Sequence, residues 1–313
     1  MPDPDPYVYS IPLTTRFRGI EVREGVLLCG DAGWGEFSPF LEYDAETARP
    51  WLAAAREAAD EGWPAPVRDR VPVNVTVPAC DPGRAREIVL ASNGCGTAKV
   101  KVAERGQTVA DDQARLEAVR DAIGRDGLVR VDANGGWSVD EAVERIPLLD
   151  RAAGGLEYVE QPVATVEDLA VVRRRVDVPI AADESIRRAE DPYRVRDLAA
   201  ADVAVLKVQP LGGVRACLRI AEDIGLPVVV SSALETSVGI AAGVALAAAL
   251  PELRHACGLA TVQLLAGDVT ADPLLPVEGM LPVVRPQPSL DLLERWAAAP
   301  GRVRHWADRV AAL

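Results

Sequence analysis

Of the 34 Lys and Arg residues in this chain, only Lys99, Lys101 and Lys207 are lysines. Codon preference explains why arginine dominates, but not why these positions stayed lysine. Arginine keeps its proton near neutral pH, whereas a lysine with a depressed pKa can release and recover one. Each of the three is therefore a candidate for proton transfer. Three carboxylates fall into step with them. From Lys101 to Asp132, Glu160, Asp183 and Lys207 the intervals are 31, 28, 23 and 24 residues. Each interval has the length of one strand-plus-helix unit.

The elements that must position these groups follow from hydrophobic periodicity. Short β-rich runs occur at 71–77, 97–102, 128–132, 156–160, 179–183, 203–208, 226–230 and about 256–262. Amphipathic helical patterns separate them, including 111–123, a Ser138-Val-Asp-Glu141 capping box and a helix capped by Thr165. Such alternation argues for βαβ units, and eight strands over about 190 residues argue for a closed barrel. The predicted fold is α/β: a modified TIM barrel, (β/α)7β, over 71–272. An α+β capping domain is expected from 1–70, with the Pro-rich tail 273–313 packing on it. Within that cap, 16–24 and 26–30 are expected to pair as strands and 44–59 to form a helix.

On this reading all five charges recur at the C-terminal mouth of the barrel, where such barrels carry their active sites. Lys99 and Lys101 share one face of their strand, as do Arg130, Asp132 and Asn134. Three carboxylates meeting there would repel one another unless a cation joined them. Oxygen ligands without His or Cys suit a hard cation, and Mg²⁺ fits best because it leaves positions for water and substrate. Lys101 and Lys207, on strands two and six, would flank a ligand held between them. That geometry suits abstraction of a proton next to a carboxylate, with an enediolate stabilised by the metal. The alternative is that the five charges form buried salt bridges with no chemistry; their common register argues against it. A Schiff-base aldolase with Lys207 as nucleophile and a non-enzymatic binding barrel are the rival classes.

Lys99-x-Lys101, Asp132-x-Asn134, Glu160-Gln-Pro, Asp183-Glu184 and Lys207 together resemble the enolase superfamily, muconate-lactonizing subgroup. Within it, 16–24, 33–39, 207–213 and 231–239 are most similar to the actinobacterial dehydratases that form o-succinylbenzoate in menaquinone synthesis. The resemblance implies Mg²⁺ on Asp132, Glu160 and Asp183, and a syn elimination. Lys101 would remove the proton and then protonate the departing hydroxyl. Lys207 would stabilise the enolate electrostatically, and Lys99 would tune Lys101 or touch the bound carboxylate. Arg130 and Asn134 are expected beside the metal, with Glu184 in the surrounding or substrate-binding set. An N-succinylamino acid racemase and a muconate-type cycloisomerase are the neighbouring activities. The Asp-x-Asp that dipeptide epimerases carry on strand eight is missing from 256–263.

Other motifs carry two readings each. Gly212-Gly213 offers either backbone N–H groups for a carboxylate or a plain tight turn. Ser231-Ser232 offers either a succinyl-carboxylate contact or a helix cap. The segment 30–39 is either a lid edge or a β-turn with core aromatics. His255 and His305 are expected to be solvated or structural.

Composition closes off other classes. The formal net charge of -13 leaves no basic face for nucleic acid and disfavours anionic membranes. The apolar stretch 238–250 is shorter than the roughly 20 residues of a span. Residues 1–6 read as an acidic, disordered leader without signal-peptide features. Five scattered cysteines fit neither a disulfide framework nor a zinc cluster, and point to a reducing cytoplasm. The expected partner is a small-molecule carboxylate substrate; oligomeric state is left open, as monomer or homo-oligomer.

Overall fold

The computed structural model describes residues 7–17, 19–187 and 192–313. The acidic leader 1–6 lies outside the described residues.

The chain opens with an antiparallel sheet of β1 (Tyr7–Phe17), β2 (Ile20–Gly30) and β3 (Gly33–Phe37). The segment 16–24, expected to be one strand, is broken where β1 gives way to β2, and Phe17 pairs with Ile20. Gly19, in the left-handed region (φ 79°), takes this turn. The stretch 30–39 is the β2–β3 turn with core aromatics rather than a lid. Phe37 is buried and meets Trp306 edge-on at 5.9 Å. Helix α1 (Ala45–Arg56) is capped by Asp44, which accepts from the Thr47 N–H at 2.9 Å, and continues as a π-turn over Glu57–Glu61.

β4 (Arg70–Pro72) leads into β5 (Val75–Val77), the first stave of the barrel. Then follow α2 (Pro82–Leu90), β6 (Thr97–Lys101), α3 (Val109–Ile123), β7 (Leu128–Asp132), α4 (Val139–Ala153) and β8 (Tyr158–Glu160). After these come α5 (Val166–Arg173), β9 (Ile180–Ala182), the short α6 (Glu184–Arg187) and α7 (Arg194–Asp197), and β10 (Val203–Leu206). α8 (Val214–Ile224), β11 (Val228–Val230) and α9 (Ser237–Ala249) complete the repeats. β5 to β11 form one seven-stranded parallel sheet in sequential order.

The eighth stave is two residues long. Cys257 bridges Val73 and Gly258 bridges Ser231, both in parallel. The Cys257 N–H donates to the Pro72 carbonyl (2.7 Å) and the Gly258 N–H to that of Val230 (2.8 Å), closing the ring. A 3₁₀ turn, Ala260–Leu264, occupies the rest of the stretch expected as strand eight.

Local chemistry explains the helices. Thr108 and Asp111 form a capping box, so α3 begins two residues before the start expected from apolar spacing. Ser138 and Glu141 form the second box, and Thr165 caps α5. α9 is apolar on all sides and buried along nearly its whole length, as a helix packed from every direction must be. Between staves and helices lies a core of small and β-branched side chains, among them Val100, Val129, Val131, Val159 and Leu206. Each fully buried Val or Leu contributes about 1.5–3 kcal/mol of transfer free energy.

β12 (Met280–Pro282) pairs antiparallel with β4, and α10 (Leu290–Arg295) and α11 (Pro300–Ala311) end the chain. This tail lies against the N-terminal sheet. The Ala298 N–H donates to the Val8 carbonyl (2.9 Å), the Ser10 N–H to that of Trp296 (2.8 Å), and Trp306 is fully buried. The cap is keyed to the barrel by Glu36. Its buried carboxylate accepts from Tyr9 (2.7 Å), Ser38 (2.8 Å) and the N–H groups of Thr236 and Gly239 (both 3.1 Å), at the start of α9. No helix of the described residues is long and apolar enough to cross a membrane.

Candidate active site

Strand register sets the site. Lys101, Asp132 and Glu160 are successive cross-strand partners, and one layer below them stand Lys99, Arg130 and Tyr158. The upper layer is followed by Asp183 and Lys207 just past the ends of β9 and β10. All of these except the half-buried Lys101 are buried.

These five groups and Lys99 below them, six in all, meet as ion pairs. Lys99 Nζ lies 2.9 Å from Glu160 Oε1 and 3.3 Å from Asp132 Oδ2. Lys101 Nζ lies 2.5 Å from Asp132 Oδ2 and 2.8 Å from Asn134 Oδ1. Lys207 Nζ lies 2.6 Å from Asp183 Oδ2. Lys99, Lys101, Lys207, Asn134, Ser231 and Ser232 line one cleft, with Phe17 of the cap, Thr76 and Thr261 completing its walls. The Phe17 ring centroid is 5.4 Å from Lys101 Nζ.

The chain turns sharply after each of the first three staves that carry charge. Ala103, Asn134 and Gln161 all have left-handed backbones (φ 61°, 46° and 40°). Such residues cost roughly 1–3 kcal/mol each and persist where surroundings enforce them. Asn134 is held by its N–H, which donates to Asp132 Oδ1 (3.0 Å). Gln161 braces the next stave. Its Oε1 accepts from the Asp183 and Ser185 N–H groups (3.0 and 3.1 Å), and its Nε2 donates to Val163 O and Ser185 Oγ (2.8 and 2.7 Å).

Electrostatics follow from burial and these pairings. Burial, reinforced by the charge of Asp132, pushes the Glu160 carboxyl up to about 7. Burial works the same way on Asp132 and Asp183, but lysines and Arg187 outweigh it and hold both well below the usual range. Burial alone would lower the Lys99 ammonium, yet Glu160 and Asp132 raise it overall. Lys207 is lowered: burial, aided by Arg187 and Lys99, outweighs Asp183.

Arg187 is a site residue that sequence reasoning missed. Its Nε lies 2.8 Å from Asp183 Oδ1 and its Nη2 2.5 Å from Glu184 Oε1. The available signal was its place one helical turn after Asp183. Glu184 also accepts from Asn134 Nδ2 (3.3 Å), while its buried Oε2 has no partner. Thr76 and Phe17 also line the cleft and were missed, because neither stands in a motif at a charged strand end.

Not every expected residue joins the cleft. Arg130 points toward the opposite end of the barrel. Its Nε pairs with Glu157 Oε2 (2.5 Å), and its Nη1 donates to Ala256 O (2.7 Å) and Asn74 Oδ1 (3.1 Å). His255 Nδ1 lies 2.6 Å from the other Glu157 oxygen, and His305 is exposed beside Trp306. Gly212 and Gly213 spend their N–H groups inside their own turn, on Gln209 O (3.2 Å) and Val208 O (3.0 Å). The first amides of α8 receive Glu57 of the cap instead. Ser232 Oγ is 2.8 Å from Thr261 Oγ1, and Ser231 is buried beside Gly258. Neither serine caps α9; Thr236 does.

The donor set has the chemistry of a hard-cation site. It is all oxygen, carried on three neighbouring stave ends, and Glu160 is raised by burial first and by the charge of Asp132 second. In this structure the carboxylates engage lysine and arginine. Among the described residues, no three acidic, His or Cys side chains converge as the ligands of one ion.

Comparison with known proteins places these features in context. Residues 83–288 match the enolase C-terminal domain-like family and residues 8–59 the enolase N-terminal domain-like family. The o-succinylbenzoate synthase of Thermobifida fusca is 67% identical over 304 residues, covering 97% of this chain and 94% of that protein. The o-succinylbenzoate synthase of Mycolicibacterium smegmatis is 57% identical, covering 98% and 94%. Muconate lactonizing enzyme from Pseudomonas putida shares the fold, with a TM-score of 0.79 at 21% identity over 94% of this chain and 98% of that one.

Proposed function

The chain belongs to the enolase superfamily, and from that premise we propose that it is a carbon–oxygen lyase forming o-succinylbenzoate. Its reaction would be the syn dehydration of 2-succinyl-6-hydroxy-2,4-cyclohexadiene-1-carboxylate, a step of menaquinone synthesis. The observation that carries this reading is that Lys101 and Lys207 line one cleft, while Asp132, Glu160 and Asp183 stand at the stave ends between them. High identity to synthases of that name over nearly the whole chain supports the same choice.

Asp132, Glu160 and Asp183 would hold Mg²⁺, the usual metal of this superfamily. Bound there, the ion supplies positive charge to the substrate carboxylate as the neighbouring carbon becomes electron-rich. The remaining work belongs to side chains. Lys101, neutral, takes the proton from the carbon next to the carboxylate. The same ammonium then donates to the departing hydroxyl, which leaves as water. One lysine serving both transfers requires proton and hydroxyl on the same face. Lys207, across the cleft and 2.6 Å from Asp183, would in its protonated form offset developing negative charge. Lys99 fixes Glu160 and Asp132 from the layer below. Phe17 keeps water from the Lys101 side.

Purely structural ion pairs are the weaker account. Buried ion pairs are often no more stabilising than apolar residues of the same volume. A fold held by a Val-rich core has no need of so many charges at one rim. Five unpaired cysteines, two of them wholly buried, support a cytoplasmic setting.

Lysines on both sides of one cleft also suit a racemase acting on N-succinylamino acids. Turnover of the cyclohexadiene substrate with and without Mg²⁺, beside Lys101→Ala and a racemisation assay, decides between them. Metal-dependent dehydration lost in Lys101→Ala is the expected result. Absent dehydration, or racemisation far outpacing it, overturns the proposal.

A further inference from the structure

Glu57 stands where α1 loosens into its π-turn, and its side chain reaches across to the barrel. The buried carboxylate accepts from the Val214 N–H (2.5 Å), the Arg215 N–H (3.1 Å) and Arg215 Nη1 (2.9 Å). These are the first amides of α8, where unpaired N–H groups and the positive end of the helix dipole favour an anion. Gly213 makes the approach possible: with φ +121°, it leaves a notch in which a Cβ would sit 2.2 Å from Glu57 Oε2.

What Glu57 grips is the turn that carries Lys207. Inside that turn the Leu211 N–H reaches the Lys207 carbonyl at 3.3 Å and the Gly213 N–H that of Val208 at 3.0 Å. Cys217 Sγ of α8 is 3.8 Å from the same Lys207 carbonyl. The middle of the turn is tied to the cap, where the Ser38 N–H donates to Gln209 Oε1 at 3.1 Å. The base of Lys207 is thus set by how α8 is seated.

We infer that Glu57 is a positioning residue for Lys207: by filling the start of α8, it fixes the 207–213 turn and so the placement of the Lys207 ammonium in the cleft. Its kinetic consequence rests on the proposed dehydratase activity; its structural consequence does not. A carboxylate that only glued cap to barrel would change stability and leave turnover per folded molecule untouched.

The test uses the full chain with Glu57→Ala, and with acetate and acetamide as added probes. Glu57→Ala is expected to lower kcat about 10–100-fold, the scale of a small misplacement in a catalytic group, with KM altered less than about threefold. Backbone amides of 207–217 exchange faster in this variant. Acetate, at on the order of 50 mM, restores both readouts by mass action, whereas acetamide or chloride at equal ionic strength restores neither. Glu57→Gln, which keeps the volume should the alanine variant not fold, loses kcat in the same direction by about 3–10-fold. Unchanged kcat per folded molecule, unchanged exchange over 207–217, or equal rescue by acetate and acetamide overturns the inference. If the parent protein fails to dehydrate the substrate, the functional proposal falls, and exchange with acetate protection still judges Glu57.

Discussion

Lys101 and Asp132 are partners across the β6–β7 ladder, and their side chains meet above it with Nζ 2.5 Å from Oδ2. Asp132 therefore both orients the proposed base and stands among the proposed metal ligands. Asn134 grips the same ammonium at 2.8 Å, so Lys101 approaches the cleft in one defined direction.

Replacing Lys101 separates proton chemistry from folding. Lys101→Ala is expected to lower dehydration by about 10²–10⁴-fold, the usual worth of a general base. Lys101→Arg keeps the charge but is not expected to recover activity, because guanidinium does not give up its proton at working pH. Steady-state turnover beside far-UV circular dichroism checks both. An active Lys101→Arg enzyme refutes the assignment.

Chelation should abolish dehydration while leaving the melting temperature little changed. Lys99, Lys101, Lys207 and Arg187 already neutralise the ligand carboxylates in the folded chain. Lys99→Met removes that compensation from Glu160 and Asp132. It is expected to cost about 3–5 kcal/mol of metal-free stability, as breaking a buried pair does. Added Mg²⁺ should then raise the melting temperature of Lys99→Met more than that of the parent, measured by calorimetry across a metal titration.

Glu235 gives a pH dependence with a definite sign. Burial, reinforced by nearby Glu36, raises its carboxyl from the ordinary 4.5 to about 7. Between these values the unfolded chain has lost the proton that the folded chain keeps, so stability falls as pH rises through the window. Above about pH 7 the penalty is complete, with an upper bound of about 3 kcal/mol. Glu235→Gln should flatten this contribution and raise the melting temperature at pH 8 but not at pH 4. A parallel shift at both pH values would show that packing, not ionisation, is responsible.

Arg130 is expected to matter for stability and not for metal binding. Truncating it to Ala leaves Glu157 half-buried beside His255. The cost should approach about 3–5 kcal/mol, the scale of a broken buried pair. KM and the Mg²⁺ concentration for half-maximal activity, measured on the remaining folded protein, should stay at parental values. A large shift in the metal requirement would return Arg130 to the cleft.

The rim chemistry was legible because it is periodic: strand parity and βα length place Lys101, Asp132, Glu160, Asp183 and Lys207 without knowledge of any contact. Parity fixes the face of a stave but not how far along the barrel a long side chain reaches. Arg130 shares its face with Asp132 yet extends to Glu157, away from the rim. The role of Gly212-Gly213 was hidden for another reason. The carboxylate that fills the adjacent helix start comes from Glu57, more than 150 residues earlier in the chain, and no local pattern announces it. The turn after Phe17 was marked only by Gly19 and by a change of phase in the apolar alternation, from Phe17 to Ile20 and Val22, too short a signal to split the run into two strands.

Asp132, Glu160, Asp183 and Glu184 carry four negative charges, and Lys99, Lys101, Lys207 and Arg187 carry four positive ones. A divalent ion entering this rim makes it dicationic while every lysine is protonated, and monocationic once Lys101 is neutral, as its role as base requires. In either state the rim is positive, and the proposed substrate, with one carboxylate on the ring and one on the succinyl arm, supplies the opposite charge. Metal and substrate should therefore enter as mutual counter-ions, each tightening the hold on the other.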